Sequence, residues 1–305
     1  MRRPTHLANL DLNLLSVLEA LLSERSVTRA ARRLGRTQPA VSAALAKLRR
    51  HFGDELLLRS GNRYELSPLA AQLVEPVEVA TAAARRVFSA QPTFDPAHST
   101  REFVVLMSDY SLAVLGEPLA RLTAHRAPQV RLHVQQTSTD AVDHAHDVLR
   151  TADALVLPHG FLSDLPHADL YTDDWVCLAS TDNDAVEEEL TTDQLSELPW
   201  VVTYHRPTAF TPATLQMRAR GIEPRISMVV ESFVTLPLLI TGTDRVALIQ
   251  HRLADRFRGV PGLRVLECPF PADPLVEALW WHPMNTHDPA HRWLRELIAE
   301  AAQDC

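Results

Sequence analysis

Glycine is scarce in this 305-residue chain, nine in all. None of them falls in a G-x-G-x-x-G, G-x-x-x-x-G-K-[ST] or G-x-S-x-G pattern, so the common phosphate cradles and the nucleophile elbow are missing. That argues against an enzyme and against a bound nucleotide, and no cofactor is expected. Cysteine is limited to Cys177, Cys268 and Cys305, with no CxxC pair and no metal-ligand spacing. Cys177 sits in the apolar run Trp175-Val-Cys-Leu178 and reads as a packing residue rather than a redox sensor. Among 14 histidines, His144/His146 and His287/His291 form close pairs. The second pair falls at a helix start with no carboxylate cluster beyond Asp288, and for both pairs solvated or capping roles are expected and no metal site. No apolar stretch is long enough to cross a bilayer, and Met1-Arg-Arg-Pro lacks the core of a signal peptide. A cytoplasmic protein without membrane contact is the expectation. Lysine is nearly absent too: Lys47 is the one lysine among 30 basic residues, which reads as genome composition.

The net charge of −8 would by itself speak against a polyanionic partner, but it is unevenly spread. Residues 1–66 hold 12 Lys/Arg against 6 Asp/Glu, and the rest of the chain holds 18 against 32. A basic segment on an acidic body suits a DNA-facing domain joined to a domain with another task.

The basic segment carries a helix-turn-helix pattern. Ser26 can cap a helix that places Val27, Ala30, Ala31 and Leu34 on one face. Gly35 supplies the left-handed stop. Thr37 or Gln38 caps the next helix, Pro39 sits in its first turn, and Val41, Ala44, Leu45 and Leu48 face inward. Thr37, Gln38 and Ser42 are left outward at the N-terminal end, where a recognition helix meets base edges. Arg32, Arg36, Lys47 and Arg49 surround them and suit phosphate oxygens. A helical hairpin with solvated arginines would share this spacing. The flanks decide against it: Leu14, Leu18, Leu21 and Leu22 make a helix in front, and the segment 55–68 reads as a β-hairpin wing turning at Ser60-Gly-Asn62, with Arg59 and Arg63 projecting.

Together, Asp11-Leu-Asn-Leu-Leu15, Arg25-Ser-Val-Thr-Arg-Ala-Ala31, Thr37-Gln-Pro-Ala-Val-Ser42, Leu45, Leu48, Phe52, Asp54, Leu56, Arg59 and Leu66-Ser-Pro68 resemble the N-terminal domain of LysR-type transcriptional regulators. Met107-Ser-Asp109, Gly242-Thr-Asp-Arg-Val-Ala247, Trp281-His282 and Asp288-Pro-Ala-His-Arg-Trp-Leu294 extend the resemblance to the branch of nodulation and salicylate regulators. The fold class expected is α/β with an N-terminal all-α winged helix-turn-helix, a long linker helix and a two-lobed regulatory domain like a periplasmic binding protein. The DNA-binding set is Ser26, Arg32, Arg36, Thr37, Gln38, Pro39, Ser42, Lys47, Arg49, Arg59 and Arg63.

Residues 1–66 form the DNA-binding domain in this reading. Residues 67–90 form a linker helix, capped by Ser67 with Pro68 at its first position and loosened or kinked at Pro76. Its stripe of Leu69, Leu73, Val77, Ala80, Ala84, Val87 and Phe88 needs a partner. The resemblance implies the same helix of a second chain, giving a homodimer or homotetramer on an interrupted palindrome of double-stranded DNA, with RNA polymerase as the eventual partner. Residues 91–101 read as a Pro-punctuated hinge. From 102 to 305, strands alternate with helices, including one helix over 139–149. The resemblance divides them into lobe I (about 102–172 and 276–305) and lobe II (about 173–275). Crossovers are placed near Tyr171–Trp175 and Pro269–Val276.

Ligands of open α/β sheets bind beyond the C-terminal ends of strands. Four such ends carry polar residues here: Ser108 and Asp109; Thr137, Ser138 and Thr139; Tyr204 and His205; and Glu231, Ser232 and Phe233. With Arg206 they suit a small, aromatic effector, although the serines and threonines would equally serve as helix caps. The function expected is a sequence-specific regulator tuned by a small molecule. An effector-independent or partner-controlled regulator is the alternative, and an architectural DNA-binding protein is a third reading.

Overall fold

Apolar residues at helical spacing fold the N-terminal segment around one small core. In the computed structural model, which describes residues 11, 13–60, 63–89, 92–204 and 211–305, the chain forms two units, Met1–Ala90 and Gln91–Cys305. In the first unit, α1 (Asn13–Glu24), α2 (Val27–Arg33) and α3 (Gln38–Phe52) bury Val17, Leu18, Leu21, Leu22, Ala30, Ala31, Val41, Leu45 and Leu48. Each buried leucine of this kind contributes about 2 kcal/mol. Gly35 has φ of +62°, which lets the chain turn tightly between α2 and α3. The wing is present as β1 (Leu57–Ser60) and β2 (Arg63–Leu66), antiparallel, with Leu57 opposite Leu66 and Ser60 opposite Arg63. Gly61 and Asn62 of the expected turn lie outside the described residues.

Asp54 joins the wing to the helix that follows. Its Oδ1 accepts the Leu56 N–H at 2.6 Å and the Ser67 hydroxyl at 2.5 Å, and Ser67 Oγ in turn accepts the Ala70 N–H at 3.0 Å. That helix, α4 (Pro68–Ser89), runs through Pro76 without interruption, contrary to the expected loosening. Gln72 and Pro76 are both exposed, so water can serve the carbonyl that proline leaves without a donor. The first half of α4 packs on α1 through Ala70, Leu73, Val74 and Val77, of which Leu73 and Val77 belong to the expected stripe. Arg85 reaches Glu19 at 2.7 Å. Val87 (70%) and Phe88 (85%) remain exposed.

In the second unit the chain builds one sheet, crosses to another and returns. It runs β3 (Glu102–Met107), α5 (Asp109–Arg126), β4 (Arg131–Gln136), α6 (Thr139–Asp143), α7 (Ala145–Val148), β5 (Ala154–Pro158) and β6 (His167–Asp173). After Asp174 it enters lobe II: β7 (Trp175–Ser180), α8 (Thr192–Glu197), β8 (Pro199–Thr203), α9 (Pro212–Ala219), β9 (Arg225–Val230), α10 (Leu236–Ile240), β10 (Val246–Gln250), α11 (His251–Arg256) and β11 (Leu263–Glu267). It then returns as β12 (Leu275–Trp280) and ends in α12 (Pro289–Gln303). Among the described residues the sheets are β4-β3-β5-β12-β6 and β11-β7-β10-β8-β9. Each is parallel in its βα portion, and β12 runs antiparallel to β5 and β6.

Among the described residues, the strand β6 and the α-helices α8 and α11 have no counterpart in the sequence reading. β6 is an edge strand of mixed exposure, so it lacks an apolar run. α8 and α11 span six residues each, too short to show a helical period. The helix expected over 139–149 is two short ones, broken where His144 takes φ −115° and ψ 31°. His291 is neither solvated nor a cap. It is fully buried, with Nε2 2.7 Å from the Asp153 carbonyl oxygen, and burial pushes its pKa down.

Candidate DNA-reading face and effector cavity

The helix-turn-helix leaves its polar residues on the outside. Thr37 occupies the N-cap of α3 but makes no side-chain capping bond, so its hydroxyl is not consumed by its own helix. Gln38, Pro39 and Ser42 follow on the exposed first turns, and Arg32, Arg36 and Lys47 are exposed around them. Arg59 and Arg63 are exposed on the wing strands. Two members of the set have work inside the domain. Ser26 Oγ accepts the Arg29 N–H at 3.4 Å as the cap of α2. Arg49 donates to the Glu55 and Leu57 carbonyls at 2.8 and 3.4 Å and pairs with the Glu55 carboxylate. Arg49 therefore braces the start of the wing.

In the regulatory unit a cavity of about 80 Å³ lies between the two sheets. Ser108, Thr137, Ser138, Thr139, Tyr204 and Phe233 of the expected effector set line it. Asp109, Glu231 and Ser232 do not, and His205 lies outside the described residues. The remaining lining comes from Tyr110, Val142, Val156, Leu157, Pro158, Phe161, Trp175, Thr211, Gln250, Leu275 and Glu277, none of which the sequence reading singled out. Strand-end polarity found the residues at the sheet termini. It missed those that arrive from the crossover strands, such as Trp175 and Glu277.

Ser108 and Ser138 have a second duty as N-caps of α5 and α6, accepting from the Ser111 and Ala141 N–H groups at 3.1 Å. Three other lining residues keep buried polar atoms with no hydrogen-bond partner among the described residues: Thr137 Oγ1, Trp175 Nε1 and Gln250 Oε1. Unpaired buried groups of this kind cost about 1–3 kcal/mol each, and all three belong to residues that line the cavity. Tyr204 enters with φ of +56°, a backbone region that costs a non-glycine residue about 1–3 kcal/mol. Its N–H bonds the Val230 carbonyl at 2.9 Å, and its ring lies 5.9 Å from that of Phe233.

Glu277 is 1% exposed. Burial pushes its pKa up to about 8, against the opposing effect of the Ser111 hydroxyl that donates to it at 3.1 Å. It is therefore a neutral acid at pH 7. Burial also raises Asp173, whose Oδ2 accepts the Tyr110 hydroxyl at 2.7 Å, and the Tyr110 phenol is pushed far above its ordinary range. Among the described residues no arginine, lysine or histidine lines the cavity.

Asp109 acts across the lobes instead. Its carboxylate accepts the Ser232 hydroxyl at 2.7 Å and the Phe233 and Val234 N–H groups at 3.2 and 3.1 Å. An anion expected to meet a ligand thus latches the start of α5 to the turn before α10. That use consumes Ser232, while Glu231 faces solvent.

A family profile for the bacterial LysR-family regulatory helix-turn-helix matches residues 12–71, and one for the LysR substrate-binding domain matches residues 99–303. The chain is a LysR-type transcriptional regulator. It binds DNA through its N-terminal domain and carries an effector-binding domain behind it, and it is a regulator rather than an enzyme. It is 34% identical to Nodulation protein D 2 of Rhizobium tropici over 296 residues, covering 96% of this chain and 93% of that protein. A structure titled "probable transcriptional regulator" from Pseudomonas aeruginosa superposes with a TM-score of 0.74 at 27% identity, covering 96% and 97% of the two chains. The LysR-family regulator CbnR shares the fold at 15% identity, with a TM-score of 0.65 and coverage of 96% and 99%. Among the described residues, no helix of this regulator is long and apolar enough to cross a membrane.

Proposed function

We propose that this regulator works as a dimer, or a pair of dimers, on an interrupted palindrome beside a promoter, and that a small neutral ring-bearing molecule held between its lobes controls the output through RNA polymerase. Thr37, Gln38 and Ser42 read base edges, with Pro39 fixing the entry of their helix. Arg32, Arg36, Lys47, Arg59 and Arg63 hold phosphates. Ser26 and Arg49 act by holding α2 and the wing in place. Residues 67–90 supply the dimer contact, supported by the exposure of Val87 and Phe88 on α4.

The observation that carries the ligand reading is the trio of unpartnered atoms Thr137 Oγ1, Trp175 Nε1 and Gln250 Oε1 around an otherwise apolar cavity. The indole offers a donor, the amide oxygen an acceptor and the hydroxyl either. A ligand with hydroxyl and carbonyl groups on an aromatic frame complements them, and Tyr204, Phe233 and Phe161 supply ring contacts. A carboxylate is disfavoured because the described lining has no cation to pair with it. The cavity is smaller than the ~300–1,000 Å³ of ligand clefts, so entry requires the lobes to part, and the Asp109 latch is what must release. Binding then shifts the balance between lobe arrangements by the ligand's differential affinity for them.

The test is a thermal-shift screen of the full chain against neutral phenols, flavonoids, aromatic carboxylic acids and amino acids. It is repeated with Thr137→Ala and Gln250→Ala. A neutral aromatic that raises Tm in the wild type and loses its effect in both variants is the expected result. A carboxylic acid whose effect survives both changes sinks the ligand reading. No response from the whole panel, with DNA binding intact, favours an effector-independent regulator.

A further inference from the structure

Away from the cavity, at the β6 edge of lobe I, three side chains with metal-ligating atoms converge. His159 follows β5, and His167 and Asp169 lie on β6. Their ligand atoms all fall within 4.8 Å of one another, and His159 Nε2 is already 2.7 Å from Asp169 Oδ1. β12 lies between their strands, with Trp280 opposite His167 and Ala278 opposite Asp169.

Two further observations point to a ligand rather than to a plain ion pair. His167 Nδ1 lies 3.3 Å from the Leu165 carbonyl oxygen. A carbonyl oxygen can only accept, so a hydrogen bond there places the proton on Nδ1 and keeps Nε2 free to ligate, the arrangement that orients metal-binding imidazoles. Both rings are also held against one buried wall: the Trp280 ring centroid is 5.3 Å from that of His159 and 4.5 Å from that of His167. The indole is itself fixed by its N–H bond to the Leu157 carbonyl at 2.7 Å.

We propose that His159, His167 and Asp169 bind a divalent transition-metal ion of the zinc class. Two imidazoles and a carboxylate are the donors zinc, nickel and cobalt favour, whereas calcium and magnesium need oxygen-rich sets. Three protein ligands leave a fourth position for water, as in open zinc sites. With metal–donor bonds of about 2.0–2.2 Å, the present spread closes through side-chain adjustment alone. The ion replaces the His159–Asp169 contact by shared coordination and ties the end of β5 to the edge strand. Pro158 and Phe161, on either side of His159 in sequence, line the effector cavity, so occupancy fixes one stretch of its wall.

The experiment uses the full chain without an affinity tag, stripped with EDTA and desalted, then titrated with Zn²⁺ by calorimetry and with Ni²⁺ by tryptophan fluorescence. One tight Zn²⁺ per chain is expected. His167→Ala and Asp169→Asn should each weaken it by more than about tenfold, and His287→Ala should leave it unchanged. Ni²⁺ should quench fluorescence in the wild type and lose that effect in His167→Ala. His167 and Asp169 are exposed, so both variants should keep the wild-type circular dichroism spectrum. His159→Gln provides an independent check from the other strand. Absence of Zn²⁺ binding in the wild type, or binding that survives the His167→Ala/Asp169→Asn double change, overturns the assignment.

Discussion

On the helix-turn-helix, Thr37, Gln38 and Ser42 are exposed to water, which DNA replaces in the proposed reading. In the regulatory unit Thr137, Trp175 and Gln250 hold polar atoms out of water with no partner among the described residues. The first surface gives up hydration when it binds, so its affinity rests on charge, and the arginines and Lys47 supply it. The second has already lost its hydration during folding, so a matching ligand gains from each bond it forms. The basic unit is thus suited to a partner of high charge and large area. The acidic unit is suited to one small molecule that fits.

The largest effect should come from Glu277, a carboxyl only 1% exposed. Its pKa is about 8 in the fold against roughly 4.3 for an unperturbed glutamate. The folded state therefore holds a proton that the unfolded chain releases. The stability Glu277 contributes is complete below the unfolded value and is lost as pH rises through about 8. Glu277→Gln keeps a neutral group in place and should flatten that loss, gaining on the order of 2–4 kcal/mol relative to wild type at alkaline pH. Chemical denaturation of both proteins from pH 5 to 9 reads it directly. Parallel curves would mean that the acid is ionised or hydrated in the fold.

On the exposed surface the effects should be smaller and should separate by type. Gln38→Ala is expected to weaken binding to the cognate operator by ~1–3 kcal/mol and to leave random DNA nearly unaffected. Arg36→Ala should weaken both alike and reduce the salt slope by about one. Fluorescence anisotropy on the two DNAs over a salt series distinguishes them. Equal losses on both DNAs for Gln38→Ala would make the domain an architectural binder.

Smaller again is the latch, which lies between the two regimes because it is only part-buried. Asp109→Asn weakens charge-assisted bonds to Ser232, Phe233 and Val234 and should cost about 1 kcal/mol. Hydrogen exchange at the Phe233 and Val234 amides should speed up several-fold, with α3 amides unchanged. Unaltered exchange would show that the latch does not hold the lobes.

Much of the fold was legible because it is local. Ser26, the Ala30-Ala31 pair, Gly35 and Pro39 each specify a cap, a close approach, a turn or a first turn within a few residues, and the structure uses all four in those ways. The long helix after Ser67 was legible too, but its inward face only in part. Leu73 and Val77 of the expected stripe do pack on α1, but Ala70 and Val74 join them while Leu69 is only half-buried and Ala80 is exposed, because the neighbour and not the period alone chooses the face. The cavity was half legible. Thr137, Ser138, Thr139, Tyr204 and Phe233 follow strands and announce themselves, but Gln250, Trp175 and Glu277 reach it only because lobe II and the returning β12 fold back on lobe I. Asp109 shows the limit of reading by residue type: a carboxylate at a strand end looked like a ligand partner, and three donors from a turn more than a hundred residues away claimed it.

The sequence by itself determined the two-part organisation, the basic reading head and the alternation of strands and helices, since these depend on spacing, capping and charge along a short stretch of chain. Only the tertiary structure decided which polar groups are left unpaired, which acid is driven neutral and which histidines meet a carboxylate. Those outcomes depend on desolvation and on neighbours brought together across the sheets, and neither is a property of any segment alone.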